Sequence, residues 1–253
     1  MATFQLIRNA TLKIRFNEVT FLIDPMLGEK GSFESYGNLA DNPISALPMS
    51  LEDVLSDVDV VLVSHLHKDH FDDAARELLQ KDLPIFCQPG DLSRITESGF
   101  IQVTEIESNI EFNGVSITRT GGNHGRGEIE KHMGNVSGFV LESEGEPSVY
   151  IIGDSIFNEK VKQAIDKYNP AYIVTNSGGA FIPGFESDLI LMDASETIDV
   201  GNYATNSNVI AVHLEALDHC TVNRAGLQRA VLASGLSERF HIPLDGEELQ
   251  LVK

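Results

Sequence analysis

Three histidines and one aspartate fall within six residues in the segment Ser64-His65-Leu66-His67-Lys68-Asp69-His70. Imidazole and carboxylate together suit zinc, manganese or iron, which accept nitrogen and oxygen ligands. In an extended stretch His65 and His67 project to the same side and can reach one ion. If the chain then turns into a helix near Asp72, Asp69 and His70 point elsewhere, close enough to serve a second. A solvated histidine-rich loop is the plain alternative. The position after the apolar run Val58-Asp-Val-Val-Leu-Val63 favours a site, because ligands collect at the carboxyl ends of strands in helix-covered sheets.

One loop cannot fill two coordination shells, since a closed zinc site takes about four ligands. His124 follows the run Val115–Thr120, Asp154 follows Ser148–Ile152, and His213 ends Asn208–Val212. Taken singly, each is equally well a turn residue or a hydrogen-bonded histidine. Together they repeat one arrangement, a polar residue at the exit of an apolar strand. His219, beside Cys220, could contact substrate or donate a proton, and a structural turn histidine fits as well. His132 and His241 read as structural, and Cys220 as a buried thiol. Asn176-Ser-Gly-Gly179 could line a pocket or simply turn the chain. Arg126 and Lys131 flank His124 and could meet an anion, but Glu128 and Glu130 stand beside them.

Elements must bring these residues together. Alternation marks strands at Thr3–Arg8, Thr11–Phe16 and Val19–Ile23. A loop rich in Gly, Pro and Asn then runs from Asp24 to Pro48, long enough to be a lid or a subunit contact. Ser50 and Asp53 resemble a capping box. Strands and helices alternate up to Gly99, a meander turns at Asn113-Gly114, and βα units resume after Val136. Phe240–Pro243 with Glu248–Val252 is expected to close as a hairpin. Two such halves would stack as helices, sheet, sheet, helices, within one unit spanning 1–253.

Composition narrows the partners. Eighteen basic and thirty-eight acidic side chains among 253 residues leave a net charge of −20. That surface repels phosphate backbones and anionic membranes, so nucleic acid is not expected as a partner. No stretch approaches the roughly 20 apolar residues of a membrane span. Two cysteines and no leader-like N-terminus predict a cytoplasmic protein acting on a small molecule, with homo-oligomerisation left open.

The series His65-x-His67-x-Asp69-His70, His124, Asp154, His213 resembles the ligand set of the metallo-β-lactamase fold. Leu6–Thr11, Phe21–Met26, Gly134–Phe139 and Val212–His219 resemble the bacterial subgroup related to L-ascorbate-6-phosphate lactonase. The resemblance implies a four-layer αββα sandwich with two divalent ions, zinc first and manganese second. One ion would be held by His65, His67 and His124, the other by Asp69, His70 and His213, with Asp154 bridging. Asp24 would support the metal loop. Two dications sharing a water make hydroxide available near neutrality, with Asp69, Asp154 and His219 as candidates for moving protons. The expected activity is hydrolysis of a lactone, ester or phosphodiester. A di-iron redox protein is the first rival, although its loop would carry Glu where His67 stands. A non-catalytic metal-binding relict is the other.

Overall fold

Alternating apolar positions bury Phe4, Leu6, Leu12, Ile14 and Phe16, and the computed structural model, which describes residues 2–253, forms strands there. β1 (Thr3–Arg8), β2 (Thr11–Phe16) and β3 (Val19–Ile23) make an antiparallel meander. Then α1 (Leu51–Leu55), β4 (Val60–Val63), α2 (Asp73–Leu78), β5 (Ile85–Cys87), α3 (Leu92–Thr96) and β6 (Val103–Glu105) add parallel strands. Ser50 caps α1 by accepting from the Asp53 N–H, and Asp72 caps α2 from Ala75.

The second sheet opens with the hairpin β7 (Asn109–Phe112) and β8 (Val115–Gly121), and α4 (Glu130–Met133) and β9 (Ser137–Glu142) follow. It continues through β10 (Val149–Ile151), α5 (Glu159–Tyr168), β11 (Tyr172–Asn176), α6 (Ala194–Tyr203) and β12 (Asn208–Val212). After α7 (Arg224–Ala233), β13 (Phe240–His241) ends this sheet and β14 (Glu248–Gln250) joins the other. Each sheet has seven strands, ordered β14-β1-β2-β3-β4-β5-β6 and β13-β12-β11-β10-β9-β8-β7.

The inner faces share one core, with Phe4, Phe21 and Ile23 from one sheet against Phe139, Val174 and Ile210 from the other. Val161, Val200 and Leu227 cover the second sheet with α5, α6 and α7, and Val54, Ala75 and Ile95 cover the first with α1, α2 and α3. The layers are α, β, β, α, the metallo-β-lactamase fold expected from the sequence. The expected terminal hairpin does not form. β13 runs parallel to β12, whereas β14 pairs with β1 across the molecule, because the two are claimed by different sheet edges. Among the described residues no helix is long and apolar enough to cross a membrane.

The long loop after β3 is tied down as a strap at two points. At its root the buried Arg8 guanidinium donates to the carbonyls of Ser45, Met26 and Gly28 at 2.9, 2.9 and 2.8 Å. Burial pushes that group down to about 10, countered in part by Asp72 and Asp245. At its tip the Asp218 carboxylate accepts from the N–H groups of Tyr36 and Gly37 at 3.0 Å and of Leu39 at 3.1 Å. It also accepts from the Asn42 amide at 2.9 Å and from the Ser35 hydroxyl. Gly37 allows a close approach here, since a Cβ would lie 3.1 Å from Asp218 and His219 atoms.

Arg8→Met should leave two buried carbonyls and one part-buried carbonyl without their charged donor and lower stability by about 3 kcal/mol in urea unfolding. An unchanged midpoint would show the root is held otherwise. Burial works against the Asp218 charge, but the Ser35, Asn42 and backbone donors hold its pKa well below the usual carboxylate range. A depressed folded pKa gives stability that is present above the unfolded value, about 3.9, and lost as pH falls below it. The stability gap between the parent and Asp218→Asn should therefore be full at pH 7 and narrow below about pH 4. A gap independent of pH would contradict this.

Candidate metal centre

The seven candidate ligands and Asp24 lie at one edge of the two sheets. His65 to His70 follow β4, Asp24 follows β3, His124 follows β8, Asp154 follows β10, and His213 follows β12. The pairing directions make these carboxyl ends coincide, since β3, β4, β10 and β12 lie in parallel pairs and β8 reaches β10 through two antiparallel steps. Two of the residues hold left-handed backbone, Asp24 at φ 46° and His213 at φ 61°. Such non-glycine conformations cost about 1–3 kcal/mol each and persist where surroundings impose them.

The side chains form two groups. His65, His67 and His124 make one, and Asp69, His70, Asp154 and His213 the other, with ligand atoms within 4.8 Å of one another in each. Hydrogen bonds fix the tautomers. Ser64 gives its hydroxyl proton to Asp24 at 2.7 Å, so the His65 Nδ1–H donates to Ser64 Oγ at 3.0 Å. His124 Nδ1–H donates to the Ile190 carbonyl at 2.7 Å. The lone pairs of His65 Nε2 and His124 Nε2 therefore converge on His67 Nδ1, at 2.9 and 3.3 Å. His70 Nδ1–H donates to Asp24 at 2.8 Å, which leaves its buried Nε2 without a hydrogen-bond partner. That nitrogen is 3.1 Å from Asp154 Oδ2, in contact but not hydrogen-bonded.

Electrostatics separates the groups. Burial, then His70 and His67, hold the His65 pKa well below its usual value, and burial brings His124 down to about 4. For His70 burial acts against the charge, but Asp154, Asp69 and Asp24 raise its pKa. Asp69 and Asp154 are buried too, and nearby His70 and His213 bring both well below the carboxylate range. Neutral imidazole lone pairs aimed at one point, with carboxylates beside them, are a donor set made for a cation. The residues fit divalent metal.

Around these groups lie supports that sequence reasoning assigned only in part. Asp24 accepts from Ser64 N–H, Ser64 Oγ–H and His70, the supporting role implied for it. Asn176 donates to Asp154 Oδ1 at 2.5 Å, so that segment holds a carboxylate rather than lining the pocket with backbone. Asn9 donates to the Asp69 carbonyl at 3.2 Å and accepts from the His213 N–H at 2.9 Å, joining the halves. Cys220 Sγ lies 3.8 Å from His213 Nδ1, on the ring side away from the carboxylates. Arg126 pairs with Glu196 and Lys131 with Glu128, so neither is turned to an anion.

A cavity of about 140 Å³ opens on the cluster. His67, Asp69, His124 and Asp154 form its floor, Met133, Ile182 and Ile190 one wall, and Tyr36 and His219 the other. His219 Nδ1 is buried without a partner, and burial keeps that imidazole pKa low. Tyr36 escaped the sequence reading, because nothing near it in the strap resembles a motif.

Comparison with known proteins agrees with this geometry. A profile of the β-lactamase superfamily domain matches residues 20–214. The UPF0173 protein YddR of Bacillus subtilis is 34% identical over 247 residues, 95% of this chain and 96% of that one. The crystal structure of a possible metal-dependent hydrolase from Veillonella parvula superposes with a TM-score of 0.96 at 34% identity, covering 99% of this chain and 100% of the other. That of an isothiocyanate hydrolase from Delia radicum gut bacteria gives 0.92 at 31% identity, covering 98% of each. The two lone-pair clusters at the sheet edge thus sit in a chain that belongs to the β-lactamase superfamily, among its UPF0173 metal-dependent hydrolases.

Proposed function

We propose that the chain hydrolyses a compact, uncharged molecule with an electrophilic carbon, an isothiocyanate first and an activated ester or lactone second. In this reading His65, His67 and His124 hold one divalent ion, zinc or manganese. Asp69, His70 and His213 hold another. Asp154 would serve as a ligand shared between the groups, its carboxylate oxygens lying 3.1 Å from His70, 3.5 Å from His124 and 3.6 Å from His213.

The cavity carries the choice of substrate. It is small, its walls are apolar apart from Tyr36 and His219, and among the described residues no Lys or Arg lines it. A phosphodiester would bring charge to a place without a side-chain cation, in a protein of net charge −20. The isothiocyanate hydrolase at 31% identity supports the same substrate class. The lactone suggested by the sequence resemblance belongs there as well.

Bound at this site, divalent ions supply Lewis acidity and water of lowered pKa. The chain's own residues do the rest. With an isothiocyanate, water adds through oxygen to the central carbon, the C–N bond breaks, and both protons end on nitrogen, giving an amine and carbonyl sulfide. His219 takes a proton at a ring nitrogen and returns it to the departing nitrogen. Asp69 and Asp154 serve mainly as ligands, because ligation lowers their basicity. The apolar wall of Met133, Ile182 and Ile190 excludes bulk water and seats the organic group.

Protein purified without a histidine tag should carry about two equivalents of zinc or manganese per chain by plasma mass spectrometry. Asp154→Ala should lower that content and abolish turnover of phenyl isothiocyanate while the fold persists. Two equivalents of iron would revive the redox reading, and no metal after reconstitution would remove the mechanism. Asp24→Ala should weaken metal affinity by about 10- to 100-fold in chelator competition, through His70 and Ser64. Unchanged affinity would show that Asp24 orients nothing.

A further inference from the structure

The strap brings to the cavity one polar group that the metal-binding residues leave unused. Setting the two ligand groups aside, Tyr36 and His219 are the polar side chains lining it. The Tyr36 ring meets His219 edge-on, with centroids 5.2 Å apart and planes at 88°, and leans on Phe33 at 5.6 Å. Its position is imposed from below, since its own N–H and that of Gly37 are both bound by Asp218, the chain neighbour of His219. One carboxylate therefore locks together the two residues of this wall. The backbone of Lys68, beside the metal loop, is near enough to influence this hydroxyl. A phenol hydroxyl carries one proton it can donate into the cavity that Tyr36 lines. Burial, then the charges of Asp69 and Glu34, hold that proton on oxygen by raising the pKa far above the usual phenol value.

We propose that the Tyr36 hydroxyl donates a hydrogen bond to the substrate heteroatom that gathers negative charge as water adds to the carbon, and that Asp218 positions it. This rests on the hydrolytic reading above. Donors preorganised at the point where charge develops lower the barrier without reorganising during reaction. No proton is transferred from Tyr36, so the chemistry balances as written for water alone. The donor comes from the strap rather than from either sheet.

Tyr36→Phe removes the hydroxyl and keeps the ring against His219. On phenyl isothiocyanate kcat should fall by about 100-fold with KM little changed. Metal content and melting temperature should match the parent. Asp218→Asn should lower kcat in the same direction by loosening the strap. Isothermal calorimetry with thiocyanate ion on metal-loaded protein gives a readout independent of turnover, and Tyr36→Phe should weaken binding by about tenfold. Equal turnover and equal thiocyanate binding would overturn the proposal. So would a loss of metal that accounts for the lost activity, which would make Tyr36 part of the scaffold. If the parent hydrolyses none of the isothiocyanate, ester or lactone probes, the hydrolytic reading fails. Thiocyanate then decides alone: weaker binding to Tyr36→Phe supports the donor, and equal or absent binding overturns it.

Discussion

Lone pairs on neighbouring atoms repel, and burying them at one point costs free energy that a cation offsets. The ring nitrogens of His65, His67 and His124 meet at such a point, 2.9 and 3.3 Å apart. Much of the local architecture enforces that meeting. Ser64, Asp24 and the Ile190 carbonyl each take up a ring proton or a donor and so decide which nitrogen faces inward. Asp24 and His213 keep left-handed backbone at the same edge. The shared core between the sheets makes such strain tolerable, because the strand ends cannot relax without opening a face of Phe139, Phe21 and Ile23.

A second level of organisation concerns charge. The surface is strongly acidic, while the interior of the site combines carboxylates with imidazoles whose protonation they favour. Such a field draws dications towards the edge, and bound dications would reverse its sign locally. The cavity wall follows the same logic: its polar groups are neutral, and the basic residues nearest His124 in sequence are spent on Glu196 and Glu128. Selection among substrates then falls to size and polarity, which an apolar wall and two ring edges can read.

The sheets and the metal loop were legible because their signals are local. Period-two alternation exposed β1 and β2, and the histidine spacing stood out after the apolar β4. His124, Asp154 and His213 could be found because each leaves a strand abruptly. What escaped depends on long-range contact. Asn9 joins Asp69 to His213 across some 200 residues of chain, and nothing in Arg8-Asn9-Ala10 announces it. Tyr36 acquires a role only when Asp218 captures its loop, 182 residues away. The final strands were misjudged for the same reason: β14 prefers the open edge of β1 to its sequence neighbour. His219 was singled out with a turn reading beside it, and the structure puts it in the cavity wall.

The strap is fastened to the body by Arg8 at its root and Asp218 at its tip, and the ligand groups draw nothing from its sequence between those points. Descent can therefore work on it separately. Changes in the length or composition of this segment would reshape one wall of the cavity while the candidate ligand residues stay as they are. A lineage meeting a new toxin or nutrient would not have to reinvent its chemistry; it could exchange a strap and keep the edge of the sheets intact.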